Sequence, residues 1–194
     1  MKLRLRRDDA MRIHRNSGSP GKQLGVTLIE QIMVLAIIAV LTSIAALPLR
    51  QLLGRNQLQV AQTDFIAALQ HTRGTAITTG RRTLFCPSRD GRHCSNETRW
   101  DGGWLIGHDA DRDHQPDNSP LRTGRGYDTI SIVGNSGRLL VRFQSDGTAS
   151  GTANTWRFCR QGSSDQALIV VISNSGRIRG APASASQAAE CARM

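Results

Sequence analysis

Aromatic side chains are scarce in this sequence. They make up 4% of the residues, as four phenylalanines, three tryptophans and one tyrosine. Trp100, Trp104 and Trp156 are therefore expected to fill a core or cover a sheet rather than to stack on a ligand. Catalytic signatures are missing as well. There is no phosphate loop and no H-E-x-x-H, and Ser136 and Ser175 sit in turns without a G-x-S-x-G frame. The histidines are few and scattered, so neither an enzyme nor a cofactor is expected. No C-x₂-C spacing occurs, which disfavours zinc on the cysteines.

Four cysteines are present, Cys86, Cys94, Cys159 and Cys191. They allow three complete pairings. Cys86–Cys94 and Cys159–Cys191 are favoured, because the first closes the polar loop "PSRDGRH" and the second pins the chain's tail. Disulfides require an oxidising compartment; free buried thiols are the alternative.

The formal charge of +10 is unevenly spread. Residues 1–25 carry seven basic and two acidic side chains, residues 26–120 nine of each, and residues 121–194 nine basic and four acidic. The excess lies at the two ends, a pattern that fits membrane orientation at one and polyanion contact at the other.

From Ile32 to Leu49 every residue is apolar except Thr42 and Ser43. As a helix this run spans about 27 Å, close to a bilayer's hydrocarbon core. The basic segment before it favours a cytoplasmic N-terminus. The expectation is a single inner-membrane span followed by a periplasmic domain. A buried helix of a soluble protein and a cleaved secretory signal are the alternatives. Glu30 at the edge of the run argues against the latter, since a charge there is costly unless paired or at an interface.

Gly25, Val26, Thr27, Leu28, Ile29 and Glu30, followed by the apolar run, resemble the type IV prepilin signal of type IV pilins and type II secretion pseudopilins. The resemblance implies cutting between Gly25 and Val26 by a prepilin peptidase, methylation of the new N-terminus, and a role for Glu30 in pairing with a neighbouring subunit's terminal amine during assembly. Val26 departs from the usual phenylalanine. The implied partners are other major and minor pilins, and the product is a cell-surface pilus.

Leu58, Ala61, Phe65, Ala68 and Leu69 recur at helical spacing, so the helix is expected to continue and cover a sheet, with Gln62, Gln70 and His71 on its wet face. Pro48 and Gly54 mark a bend or local melting in between. The expected division is a basic leader over 1–25, the assembly half of the helix over 26–54, its amphipathic half over 55–80, and a β-rich domain over 81–194. In that domain "TLFC", "WLIGH", "TISIVG", "LLVRF", "WRFC" and "ALIVVIS" read as short strands between Gly-containing turns. The segment "RWDGGWLIGHDADRDHQPDNSPLR" resembles the FimT/GspH branch of minor pilins and pseudopilins. The fold implied is α+β and type IV pilin-like: a long N-terminal helix on a small antiparallel β domain of two short sheets.

Asp109, Asp111, Asp113 and Asp117 could present several oxygens to calcium, but His114 stands where an EF-hand loop needs glycine and Pro120 where it needs glutamate. No metal site is expected; the aspartates should bond nearby backbone groups instead.

"NSGR" occurs twice, at 135–138 and 174–177. The first copy continues into "LLVRF", where Leu139, Val141 and Phe143 face a core and Arg138 and Arg142 face water. The second continues as "IRGAP", with Arg177 and Arg179 on one side of an extended chain between Gly176 and Gly180. If Cys191 pairs with Cys159, Arg160 is expected near them. Such guanidinium groups suit phosphate oxygens. Gly176, Arg177 and Arg179 resemble the Gly-Arg-x-Arg motif of FimT-type pilins that capture DNA for natural transformation. The resemblance implies contact with the phosphate backbone of extracellular double-stranded DNA, at low sequence selectivity. The alternative is a structural minor pilin or type II secretion pseudopilin without DNA binding.

Overall fold

The computed structural model describes residues 25–161 and 167–191, with the backbone alone over 44–51. The expected leader therefore lies outside the described residues, Gly25 excepted. The chain divides into one unit up to Ala45 and a second from Ala46.

Helix α1, Leu28–Thr79, begins in the first unit. Its first bond runs from Gln31 N–H to Thr27 O at 3.2 Å, and Glu30 occupies the first turn, where the helix dipole favours a negative charge. From Val26 to Leu41 the large apolar side chains are 49–80% exposed. Among the described residues no helix is long and apolar enough to cross a membrane. This corrects the single-pass inner-membrane expectation. Among the described side chains the uninterrupted apolar run, Ile32 to Leu41, is bounded by Gln31 and by Thr42 and Ser43, about 15 Å of helix against a hydrocarbon core of about 30 Å. The helical assignment also continues unbroken through Pro48 and Gly54.

In the second unit α1 buries Leu58, Ala61, Phe65, Ala68, Leu69 and Ala76, a stripe at three- and four-residue spacing. The stripe packs on two antiparallel four-stranded sheets. One has the order β3 (Arg122–Arg125), β2 (Gly103–His108), β1 (Thr83–Pro87), β5 (Val141–Phe143). The other runs β4 (Ile130–Val133), β6 (Asn154–Arg160), β7 (Ala167–Ile172), β8 (Ile178–Pro182). This is the expected pilin-like α+β arrangement. β6 shows how sequence sets it: Asn154, Trp156 and Phe158 are buried and the residues between are half-exposed, the period of two of a one-sided strand.

Phe65 lies at the centre of the core. Its ring meets Phe85, Trp100, Trp156 and Phe158 edge-on, with centroids 5.0–5.6 Å apart. Burial of one such ring contributes about 1.5–3 kcal/mol, and aromatic pairs add about 0.5–1.5 kcal/mol each. Every phenylalanine and tryptophan is buried, so the few aromatics are spent on cohesion.

Gln62 is not on the wet face. Its Nε2 donates to Ile169 O at 2.8 Å and to Ala181 O at 3.3 Å, tying α1 to β7 and β8. Helix α2, Ala185–Cys191, ends the described chain. Ser184 and Gln187 open it reciprocally: Ser184 N–H donates to Gln187 Oε1 at 2.9 Å and Gln187 N–H to Ser184 Oγ at 3.4 Å, a capping box. Cys86 is bonded to Cys94, closing the loop after β1, and Cys159 to Cys191, holding α2 to the end of β6.

Candidate functional site

The β7–β8 hairpin turns at Ser173–Arg177. Gly176 N–H donates to Ser173 O at 2.9 Å and Ser173 N–H to Arg177 O at 3.0 Å. Gly176 has φ +77°, which a side chain rarely adopts. A Cβ there would also overlap the carbonyl oxygen of Gly147. Asn174 braces the turn from the other side: its main-chain oxygen accepts from Ala149 N–H at 2.9 Å and its Oδ1 from Gly151 N–H at 3.2 Å. Arg73 of α1 donates Nε–H to Gly147 O at 2.8 Å. Two loops and the helix thus fix the root of β8.

Arg177 and Arg179 leave this root exposed. Neither guanidinium has a carboxylate partner among the described residues; Glu190 is taken by Arg157, Nε to Oε2 3.2 Å. β8 is an edge strand. Arg179 stands opposite Val171, on the sheet face away from the core, whereas Gly180 faces Ile66 and Gln62 of α1. Beside Arg177 a groove of about 400 Å³ runs between α1 and the turn, lined by Gln70, Arg73, Ile77, Gly176 and Arg177. Arg73 is the cation that sequence reasoning missed. It reads as one more charge in a helix, and only the turn's approach gives it a place.

Arg160 is not part of this group. It pairs with Ile130 at the far end of β6, while Arg179 pairs through Val171 with the Thr155 end. Five strand residues separate those levels, about 17 Å. Arg160 instead lies over Gly54, so close that a methyl there would overlap the guanidinium. The Cys159–Cys191 bond is at that same end. The tail is held, but away from Arg177 and Arg179.

Gly25 and Val26 are exposed and non-helical, and Glu30 is exposed in the first helical turn. In the aspartate loop, carboxylate oxygens of Asp109, Asp111 and Asp117 lie within 4.8 Å of one another. They have other partners: Asp109 is buried against Arg82 at 2.8 Å, Asp117 accepts from Ala110 N–H at 2.9 Å, and Asp111 from Asp113 N–H at 3.3 Å.

A long helix on two small antiparallel sheets, with an exposed apolar N-terminal segment, defines a pilin-like protein. The chain belongs to the GspH family, described as type II transport protein GspH, which matches residues 61–176. Among solved structures it resembles the type IV minor pilin FimU of Pseudomonas aeruginosa PAO1. One crystal form gives a TM-score of 0.55 at 27% identity, covering 68% of this chain and 92% of that one. A second gives 0.52 at 26%, covering 66% and 94%. The minor pseudopilin EpsH of the Vibrio cholerae type 2 secretion system aligns with a TM-score of 0.46 at 15% identity, over 64% and 95%. No curated protein matches the chain.

Proposed function

We propose that this chain is a non-enzymatic structural subunit, a minor pilin or pseudopilin that supports a pilus or a type II secretion pseudopilus. The observation that carries this is the exposed apolar stretch of α1 from Leu28 to Leu41. A helix that is apolar on all sides needs cover from other hydrophobic surfaces, and the matching helices of neighbouring pilins supply it. Membership in the GspH family and the likeness to a protein named as a minor pilin support the reading. The exposed Gly25–Val26 junction is accessible to a prepilin peptidase, and Glu30 is free to meet a neighbour's terminal amine.

The test is incorporation. In cells that make this protein, Glu30→Ala should reduce the amount of subunit in sheared filaments several-fold while cleavage after Gly25 continues. Equal incorporation of variant and parent removes the role given to Glu30.

A second reading is favoured by one observation: Arg177 and Arg179 stand without carboxylate partners among the described residues, on a braced edge strand. In that reading the same subunit, as a FimT-type pilin, holds DNA through its phosphates during uptake. Arg73 adds charge at the rim and Arg160 does not take part. With every phenylalanine and tryptophan buried, binding is backbone-directed and falls with salt.

A further inference from the structure

The first NSGR copy builds a site of its own. Gly137 has φ +78°, matching Gly176 in the second copy, but the chain beyond it does not form a solvated strand at once. β5 covers only Val141–Phe143, and Leu140 packs on the second apolar cluster of Leu84, Cys86, Cys94 and Leu105. This draws Arg142 toward the covered side of the sheet. It is half-buried, and its Nε has no hydrogen-bond partner. Burial holds the guanidinium below its ordinary value, and Arg82 and Arg138 push the same way, against Asp109.

A cavity of about 210 Å³ opens here, lined by Asn96, His114, Arg138, Arg142, Gly151 and Thr152, with room for a tetrahedral oxyanion and several waters. Arg138 donates one N–H to Gly151 O at 2.5 Å, which fixes the side chain and leaves its other donors free to turn inward. Arg142 Nη1 donates to His114 Nε2 at 3.0 Å, a bond the imidazole accepts only when neutral. The flanking carboxylates are engaged: Asp109 by Arg82 at 2.8 Å, Asp117 by Arg81 at 3.5 Å, Glu97 by Arg89 at 2.7 Å. Arg82 and Asp109 offset each other. Among the described residues Arg138 and Arg142 make no salt bridge, and Asp109, the carboxylate that Arg142 feels, is itself paired with Arg82.

We propose that this cavity is a site for a dianionic tetrahedral oxyanion, of the sulfate or phosphate class, gripped by Arg138 and Arg142 with Thr152 and Asn96 at its wall. Two guanidinium forks match the charge and the oxygen geometry of such a group. Bound there, the ion accepts from guanidinium Nη donors of Arg138 and Arg142 and relieves the repulsion between the arginines. The site is separate from Arg177 and Arg179 and does not depend on DNA binding.

The test is a titration of the purified full-length chain, kept in detergent, with sodium sulfate at constant ionic strength, followed through the arginine Nε–H resonances by NMR. The Arg142 signal should shift and saturate. Arg138→Gln, at an exposed turn, should weaken the response about tenfold, as expected for losing one charge-assisted contact. Arg177→Gln/Arg179→Gln should leave it unchanged. Sodium acetate should act more weakly than sulfate. No shift of the Arg142 signal, an equal response in Arg138→Gln, a response lost in the Arg177/Arg179 variant, or equal effects of acetate and sulfate overturns the proposal.

Discussion

At the scale of the residue, an arginine's setting matters more than its number. Arg177 and Arg179 are exposed, Arg157 is tied to Glu190, Arg160 covers Gly54, and Arg142 is half-buried with an idle donor. Total charge distinguishes none of these. Each exposed, unpaired guanidinium that reaches a phosphate adds to the salt dependence of binding. Arg177→Gln/Arg179→Gln should therefore weaken DNA binding about tenfold or more in a gel-shift titration of the full-length chain and flatten its salt dependence, with little change in thermal midpoint. Unchanged affinity at low salt would refute the DNA-capture reading and leave the structural one standing. The same two side chains can be replaced safely because neither supports the fold. Gly176 is the opposite case: it has no side chain to offer, yet the turn needs its φ and its bareness against Gly147 O.

At the scale of the element, the tail and the arginine edge are separate devices. α1 passes Arg160 at Gly54 and reaches the β7–β8 turn at Arg73, nineteen residues or about 28 Å of helix later. The Cys159–Cys191 bond closes a sequence separation of 32 residues, worth about 3–4 kcal/mol by chain entropy. Replacing both cysteines with serine should lower the unfolding free energy by roughly that amount, and should leave DNA affinity, where present, unaltered. A loss of affinity equal to that of the double-arginine variant would show that the tail does position Arg177 and Arg179. Much of this element plan is legible in sequence. The period-two strands, the apolar stripe of α1 and the turn glycines all follow from local pattern. β3 is not, because "RTGR" has no apolar alternation; it exists by pairing with β2, where Gly124 leaves room for the Trp104 ring. β8 is masked for the same reason. α2 carries a readable signal, Ser184 three residues before Gln187, hidden in an otherwise featureless run of small residues. The positions of Arg160 and Arg142 depend on register and on loops folding over a sheet, and neither leaves a mark in local sequence. The apolar run reads as a membrane span by hydropathy alone, whereas no helix among the described residues is both long and apolar enough for one.

At the scale of the whole molecule, the described chain holds two different solutions to burying apolar surface. From Leu58 on, α1 hides its stripe against two sheets of the same chain. From Leu28 to Leu41 it hides nothing, and its large apolar side chains stay at least 49% exposed. A filament subunit follows from that contrast: the second unit has a core of its own, whereas the apolar stretch of the first needs cover from partners. The measurement that tests this most directly is photocrosslinking in cells that make the protein, with a photoreactive side chain in place of Leu35, which is 65% exposed, and a control at Thr63 on the exposed side of the domain half of α1. The account predicts covalent adducts from position 35 to the N-terminal helix of another pilin, recovered in the sheared filament fraction, and few from position 63. Adducts absent from that fraction, or position 35 joined to no pilin at all, would contradict it.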